Sequence, residues 1–230
     1  MQAFAALLDR LSFTASRTGK VRLVRDYLRD RPDPERGYAL AALTGELSFA
    51  AAKPAMIRAA VEARVDPQLF RWSYDYVGDL AETAALLWPP RPAANRAPAL
   101  EEVVETLLAS PRGAGAALLG AWLDALDADG RYALLKLLTG GLRVGLSARL
   151  AKQAAADLAA EAGGTADVSA VEEVWHALTP PYLDLFAWLE GRGPRPTSAA
   201  AGRFRPVMLA VALDAAQDLP RLDPSAYAAE

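Results

Sequence analysis

Apolar residues recur at helical spacing along nearly the whole chain, and no long alternating run of β-branched residues interrupts them. Phe4, Leu7, Leu8 and Leu11 fall at i, i+3, i+4 and i+7, which is one face of a helix. Val21, Val24, Tyr27 and Leu28 mark a second helix. Strands need a period of two, so the spacing predicts an all-α, multi-helix domain. Asp33-Pro34 reads as N-cap and first residue of a third helix ending near Thr44-Gly45. Lys53-Pro54 and Asp66-Pro67 read as further starts, and Leu80, Ala84 and Leu87 continue the pattern after Gly78. Trp88-Pro89-Pro90-Arg91-Pro92 stops it, so residues 89–98 read as a proline-rich connection. Helical spacing resumes with Leu100, Val103, Val104, Leu107 and Leu108. It runs on through Ala114 to Leu126, Asp129 to Leu138, Ser147 to Ala162, Ser169 to Leu178 and Pro181 to Leu189. The expected organisation is a helical domain over 1–190, with halves of about 1–88 and 99–190, and an irregular tail over 191–230.

Composition removes several function classes. Cysteine is absent and His176 is the sole histidine, which excludes disulfides and thiolate metal sites and argues against a His-based zinc site or a Ser-His-Asp triad. Eighteen consecutive apolar residues occur nowhere, and Met1 to Leu11 lacks the pattern of a secretory signal. The expectation is a cytoplasmic monomer with no membrane partner. Hydrophobic residues make up 53% of the 230, enough for a sizeable core. Trp72, Trp88, Trp122, Trp175 and Trp188 all lie at apolar helical spacing and read as core anchors. Net charge is −3, which argues against a generally basic nucleic-acid binder, so any contact with a polyanion must come from clustered charge.

Such a cluster exists. No Asp or Glu occurs from Arg131 to Ala156, while Arg131, Lys136, Arg143, Arg149 and Lys152 all lie there. Within it, Thr139-Gly140-Gly141-Leu142-Arg143-Val144-Gly145-Leu146-Ser147 links an apolar helix to a basic one. Gly140 and Gly141 tolerate backbone angles that a Cβ resists, Gly145 is a third point of close approach, and Ser147 suits the N-cap of the next helix. Free N–H groups and the positive dipole end of that helix favour phosphate. The same residues would also serve a plain helix connector beside a solvated basic helix. A second basic run, Arg17, Lys20, Arg22, Arg25 and Arg29, follows Ser16 and precedes or includes a helix capped by Ser16 or Thr18. The loop also has a faint echo. Leu43-Thr44-Gly45-Glu46-Leu47 resembles Leu138-Thr139-Gly140-Gly141-Leu142, and Arg36-Gly37-Tyr38-Ala39-Leu40 resembles Gly130-Arg131-Tyr132-Ala133-Leu134. Asp75 and Asp79 read as cap and solvated face rather than an acid–base pair.

Leu137 to Ser147 resembles the signature loop in the DNA-binding domain of ATP-dependent DNA ligases, particularly bacterial ones. Trp72-Ser73-Tyr74-Asp75-Tyr76-Val77-Gly78-Asp79-Leu80-Ala81-Glu82-Thr83-Ala84 resembles a further segment of that family, as does Phe4-Ala5-Ala6-Leu7-Leu8-Asp9-Arg10-Leu11 followed by Lys20-Val21. The resemblance implies an all-helical domain that grips nicked duplex DNA across the minor groove. DNA contact would then fall to Lys136, Thr139, Gly140, Gly141, Arg143, Gly145, Ser147 and Arg149, with Thr18, Lys20, Thr44 and Gly45. In the family an AMP-accepting lysine stands in Lys-x-Asp-Gly. Here Lys20, Lys53, Lys136 and Lys152 all lack x-Asp-Gly after them. The expectation is therefore a ligase part without catalytic residues, with ATP and magnesium belonging to a nucleotidyltransferase core that would follow Arg205-Pro206-Val207-Met208-Leu209-Ala210. The competing expectation is a helical-repeat module that binds a protein and no nucleic acid, in keeping with the acidic net charge and the weak repeat.

Overall fold

Capping residues divide the chain where the sequence pattern does. The computed structural model describes residues 1–49, 53–89, 91, 96–111 and 115–197. Among these there are twelve α-helices and no strand. They are α1 (Gln2–Phe13), α2 (Arg17–Asp30), α3 (Glu35–Thr44), α4 (Pro54–Glu62), α5 (Pro67–Val77) and α6 (Leu80–Leu87), then α7 (Leu100–Ala109), α8 (Gly115–Ala125), α9 (Ala128–Thr139), α10 (Ala148–Glu161), α11 (Val168–Trp175) and α12 (Leu183–Leu189). Ser16, Asp66, Asp79, Asp127, Ser147 and Asp167 each accept a backbone N–H from the first turn they precede. Each such cap is worth about 1 kcal/mol. Gly45, Gly78 and Gly140 end α3, α5 and α9 in the left-handed conformation.

Three local expectations are corrected. Asp33 does not cap α3, because its carboxylate binds Arg36; Pro34 precedes the helix instead of starting it. The helix expected from Pro181 begins at Leu183. Trp72 is not a core anchor: it is 63% exposed, on the face of α5 away from buried Phe70, whereas Trp88 and Trp122 are buried. The start of the expected tail is not free of the domain, since the Arg192 and Gly193 amides donate to Ala187 O at 2.7 and 2.9 Å. Residues 198–230, including Arg203 and Arg205, lie outside the described residues.

The helix order repeats, α1–α6 against α7–α12, and equivalent helices pack crosswise. Helix α1 lies on α9 and α7 on α3; α2 lies on α10 and α8 on α4. The halves are thus interlocked within one compact unit, Met1–Ala199. The core is continuous, with Phe4, Leu8, Leu28, Leu40, Leu134 and Phe186 fully buried. The correspondence reaches individual atoms. The Thr44 hydroxyl donates to Leu40 O and Ala41 O, and the Thr139 hydroxyl to Leu135 O and Lys136 O. The Glu46 and Gly141 amides then close the same motif on Ala41 O and Lys136 O. Equally far upstream stand two buried arginines, Arg36 and Arg131, donating to the carbonyls of Leu28 and Leu123 at the ends of α2 and α8. This pairing shifts the upstream sequence echo by one residue, since it matches Arg36 with Arg131 and not with Gly130.

Candidate nucleic-acid interface

Helices α2 and α10 lie side by side and run the same way. At one end Arg25 and Arg29 of α2 pair with Glu161, the last residue of α10, at 3.1 and 3.6 Å. At the other end Arg17 shares an open concavity of about 440 Å³ with Gly145, Ser147, Arg149 and Gln153. Parallel packing brings the positive ends of two helix dipoles together, and neither first turn contains an acid. Ser16 accepts the Gly19 amide at 3.1 Å and Ser147 the Leu150 amide at 3.3 Å, which leaves other first-turn N–H groups available to an anion.

The glycine loop is delivered to this corner from α9. Gly140 (φ 66°) and Gly145 (φ 62°) take left-handed angles; Gly141 does not. Between them the chain turns tightly, with the Arg143 amide on Gly141 O at 2.7 Å. Val144 is buried, while Arg143 is exposed and forms no ion pair among the described residues. Lys20 of α2 is itself buried, and its Nζ donates to Val144 O directly under Gly145. It ties the loop to α2 instead of facing solvent.

The other sequence-predicted positions divide as follows. Lys136 pairs with Asp79, the N-cap of α6, and lies 5.4 Å from the Tyr132 ring centroid. Burial pushes the Asp79 carboxyl up, but the Lys136 ammonium and backbone amides outweigh it and hold it below its ordinary value. Arg149 pairs with Glu172 in an exposed bridge, of the kind worth at most about 1 kcal/mol and easily exchanged for another anion. Thr18 is exposed in the first turn of α2. Thr44 and Gly45 sit at the α3 exit, which α11 connects to α10. The Trp175 indole N–H donates to Glu46 at 3.3 Å, and its ring lies 4.3 Å from Lys152 Nζ. Burial there lowers the Lys152 pKa. Both Thr-Gly exits therefore reach the first two turns of α10.

Of the second basic run read in the sequence, Arg17 is the member that lines the concavity. It stands directly after the Ser16 cap, at the start of α2. Arg25 and Arg29, of the same basic run, are spent on Asp26 and Glu161. The chain matches no protein-family model and no curated protein. No group of three His, Asp or Glu residues gathers as metal ligands among the described residues. No helix there is long and apolar enough to cross a membrane. What the corner offers chemically is backbone N–H groups, guanidinium groups and two dipole ends, all suited to phosphate.

Proposed function

We propose that the chain is a DNA-gripping helical domain of an ATP-dependent DNA ligase. It holds nicked duplex through minor-groove phosphates, while a nucleotidyltransferase core of the same polypeptide seals the nick in replication, repair or recombination. One arrangement carries the reading: the parallel N-termini of α2 and α10, free of first-turn acids, with the glycine loop beside them and with Arg17 and Arg143, neither of which forms an ion pair among the described residues. The second Thr-Gly exit, at Thr44-Gly45, supports a surface that touches two stretches of backbone. Phosphate contacts position a protein and carry no sequence information, so unrelated nicked duplexes should bind alike.

The test is fluorescence anisotropy of a labelled nicked duplex at several salt concentrations. Replacing both Arg17 and Arg143 by alanine should reduce the magnitude of the log K against log salt slope by about 1.8, from about 0.9 for each phosphate contact. Arg96→Ala is the control, near α7 and paired with Glu102, and should leave the slope alone. An unchanged slope and affinity in the folded double variant would reject the DNA reading. Arg112, a natural control by sequence, lies outside the described residues. A second test concerns chemistry: with labelled ATP and magnesium the chain should stay unlabelled, and a lysine-bound label would overturn its assignment as non-catalytic.

One observation favours a protein-binding module instead. Leu69, Trp72 and Tyr76 form an exposed stripe on α5, with Tyr76 92% exposed. Under that reading the double arginine variant leaves duplex binding at its parental, weak level.

A further inference from the structure

Helix α9 carries a second surface at its other end. An open groove of about 310 Å³ lies between α1, α6 and the start of α9. Its apolar lining includes Phe13, Leu86 and Tyr132, and two of these stand far out of the core, Phe13 at 85% and Leu86 at 66% exposure. Large apolar side chains beside a groove are what a monomer normally covers.

The charge around the groove has one sign. Asp9, Glu82 and Asp129 line it, and no basic residue does. None of the three forms an ion pair among the described residues. Other acids of the fold do pair: Asp33 and Glu190 with Arg36, Asp79 with Lys136, Asp124 with Arg64, Glu172 with Arg149. Three unpaired carboxylates repel a nucleic acid and attract a cation-bearing chain. At 1.5 Å per helical residue, Asp129 stands about 17 Å along α9 from the glycine loop, so the groove is a separate surface.

We propose that this groove docks a basic amphipathic segment of a partner protein. Apolar side chains of that segment enter between Phe13, Leu86 and Tyr132, and its Lys or Arg residues meet Asp9, Glu82 and Asp129. Apolar anchors in the groove give affinity, and the acids fix orientation and select against acidic partners. The inference does not depend on the DNA reading.

The probe is a fluorescein-labelled helical peptide with leucines at i, i+3, i+4 and i+7 and lysines on the flanks, titrated with the full chain. Leu86→Ser should weaken binding about tenfold, equal to about 1.4 kcal/mol. Glu82→Gln combined with Asp129→Asn should weaken it comparably and flatten its salt dependence. A peptide with glutamates in place of the lysines should not bind. Leu86, Glu82 and Asp129 are exposed, so the variants should stay folded, which circular dichroism checks. Binding that ignores both sets of variants overturns the proposal. A dimer in sedimentation that Leu86→Ser dissolves also overturns it, by giving the groove to a second copy. A nicked-duplex affinity that falls with Leu86→Ser overturns it too, by giving the groove to nucleic acid.

Discussion

Arg36→Met should lower the free energy of unfolding by about 3 kcal/mol, toward the lower end of what breaking a buried ion pair costs. Arg36 is only 5% exposed. Its Nε and Nη2 donate to the two carboxylate oxygens of Asp33 at 2.8 and 3.0 Å, and Nη2 also reaches Glu190 Oε2 at 3.1 Å. The guanidinium lies 4.2 Å from the Phe186 ring centroid, so α3 and α12 are held by one side chain. Methionine would fill much of the volume but leave two carboxylates facing each other and the Leu28 carbonyl unpaired. Partial exposure of both acids, and Arg192 beside Glu190, keep the loss at the low end.

Acid should shrink that difference. Hydrogen bonds from Arg36 and Arg192 hold the Glu190 carboxyl below its ordinary value of 4.5, against the effect of burial. A depressed carboxyl contributes stability that is complete above the unfolded pKa and lost as pH falls through the folded one. The parent therefore loses this contribution below about pH 4.5, whereas the variant never had the Arg36 part of it. Urea unfolding followed by circular dichroism, at neutral pH and again at about pH 3.5, measures both quantities. A neutral-pH loss below about 1 kcal/mol, the level of an exposed pair, or a gap that widens in acid, would remove Arg36 from this role.

The helical layout was legible because short-range rules set it. Asp66-Pro67 and Ser147 start helices, and Gly45, Gly78 and Gly140 end them, where sequence spacing puts those events, whereas Asp79, read as a solvated residue, caps α6. Sequence spacing does not show which of several partners a side chain takes. Asp33 is drawn from capping by Arg36, and the pairing of Lys136 with Asp79, across the packing of α9 on α6, is a long-range contact. Burial was misjudged for Trp72 because α5 has a second apolar stripe besides the one carrying Phe70, and spacing alone does not say which stripe faces inward. The candidate site was legible in its glycine loop and in the basic run that follows Ser16, but not in the packing that joins them. That α2 runs parallel to α10 is a long-range fact, and with it comes the meeting of two helix N-termini at Arg17. Crosswise packing of the two halves is similarly invisible to spacing, although the Thr-Gly exits that mark their equivalence were readable.

Lys20→Met and Gly145→Ala should loosen the same loop from opposite sides. Lys20 Nζ donates to Val144 O, and a Cβ at Gly145 would stand 2.6 Å from that nitrogen. Alanine at φ 62° is strained by about 1–2 kcal/mol. Its methyl group would also displace the ammonium from the carbonyl, forfeiting a charged hydrogen bond worth about 1.5–3 kcal/mol. Methionine at Lys20 keeps the stem in place but removes that bond, and the Val144 carbonyl is left without its partner. Neither change removes an exposed cation from the concavity, because the Lys20 ammonium is already buried. If the loop must be preordered to meet phosphate, both variants should bind nicked duplex about tenfold more weakly, or 1.4 kcal/mol. Ordering lost before binding is an entropy cost that binding must then meet. Hydrogen exchange supplies the independent readout: amides of residues 140–147, Arg143 above all, should exchange faster in both variants, with α1 and α12 unchanged. Faster exchange with parental affinity would show that loop order is irrelevant to the ligand. Unchanged exchange would show that Lys20 is no tether, and its burial under Gly145 would need another reason.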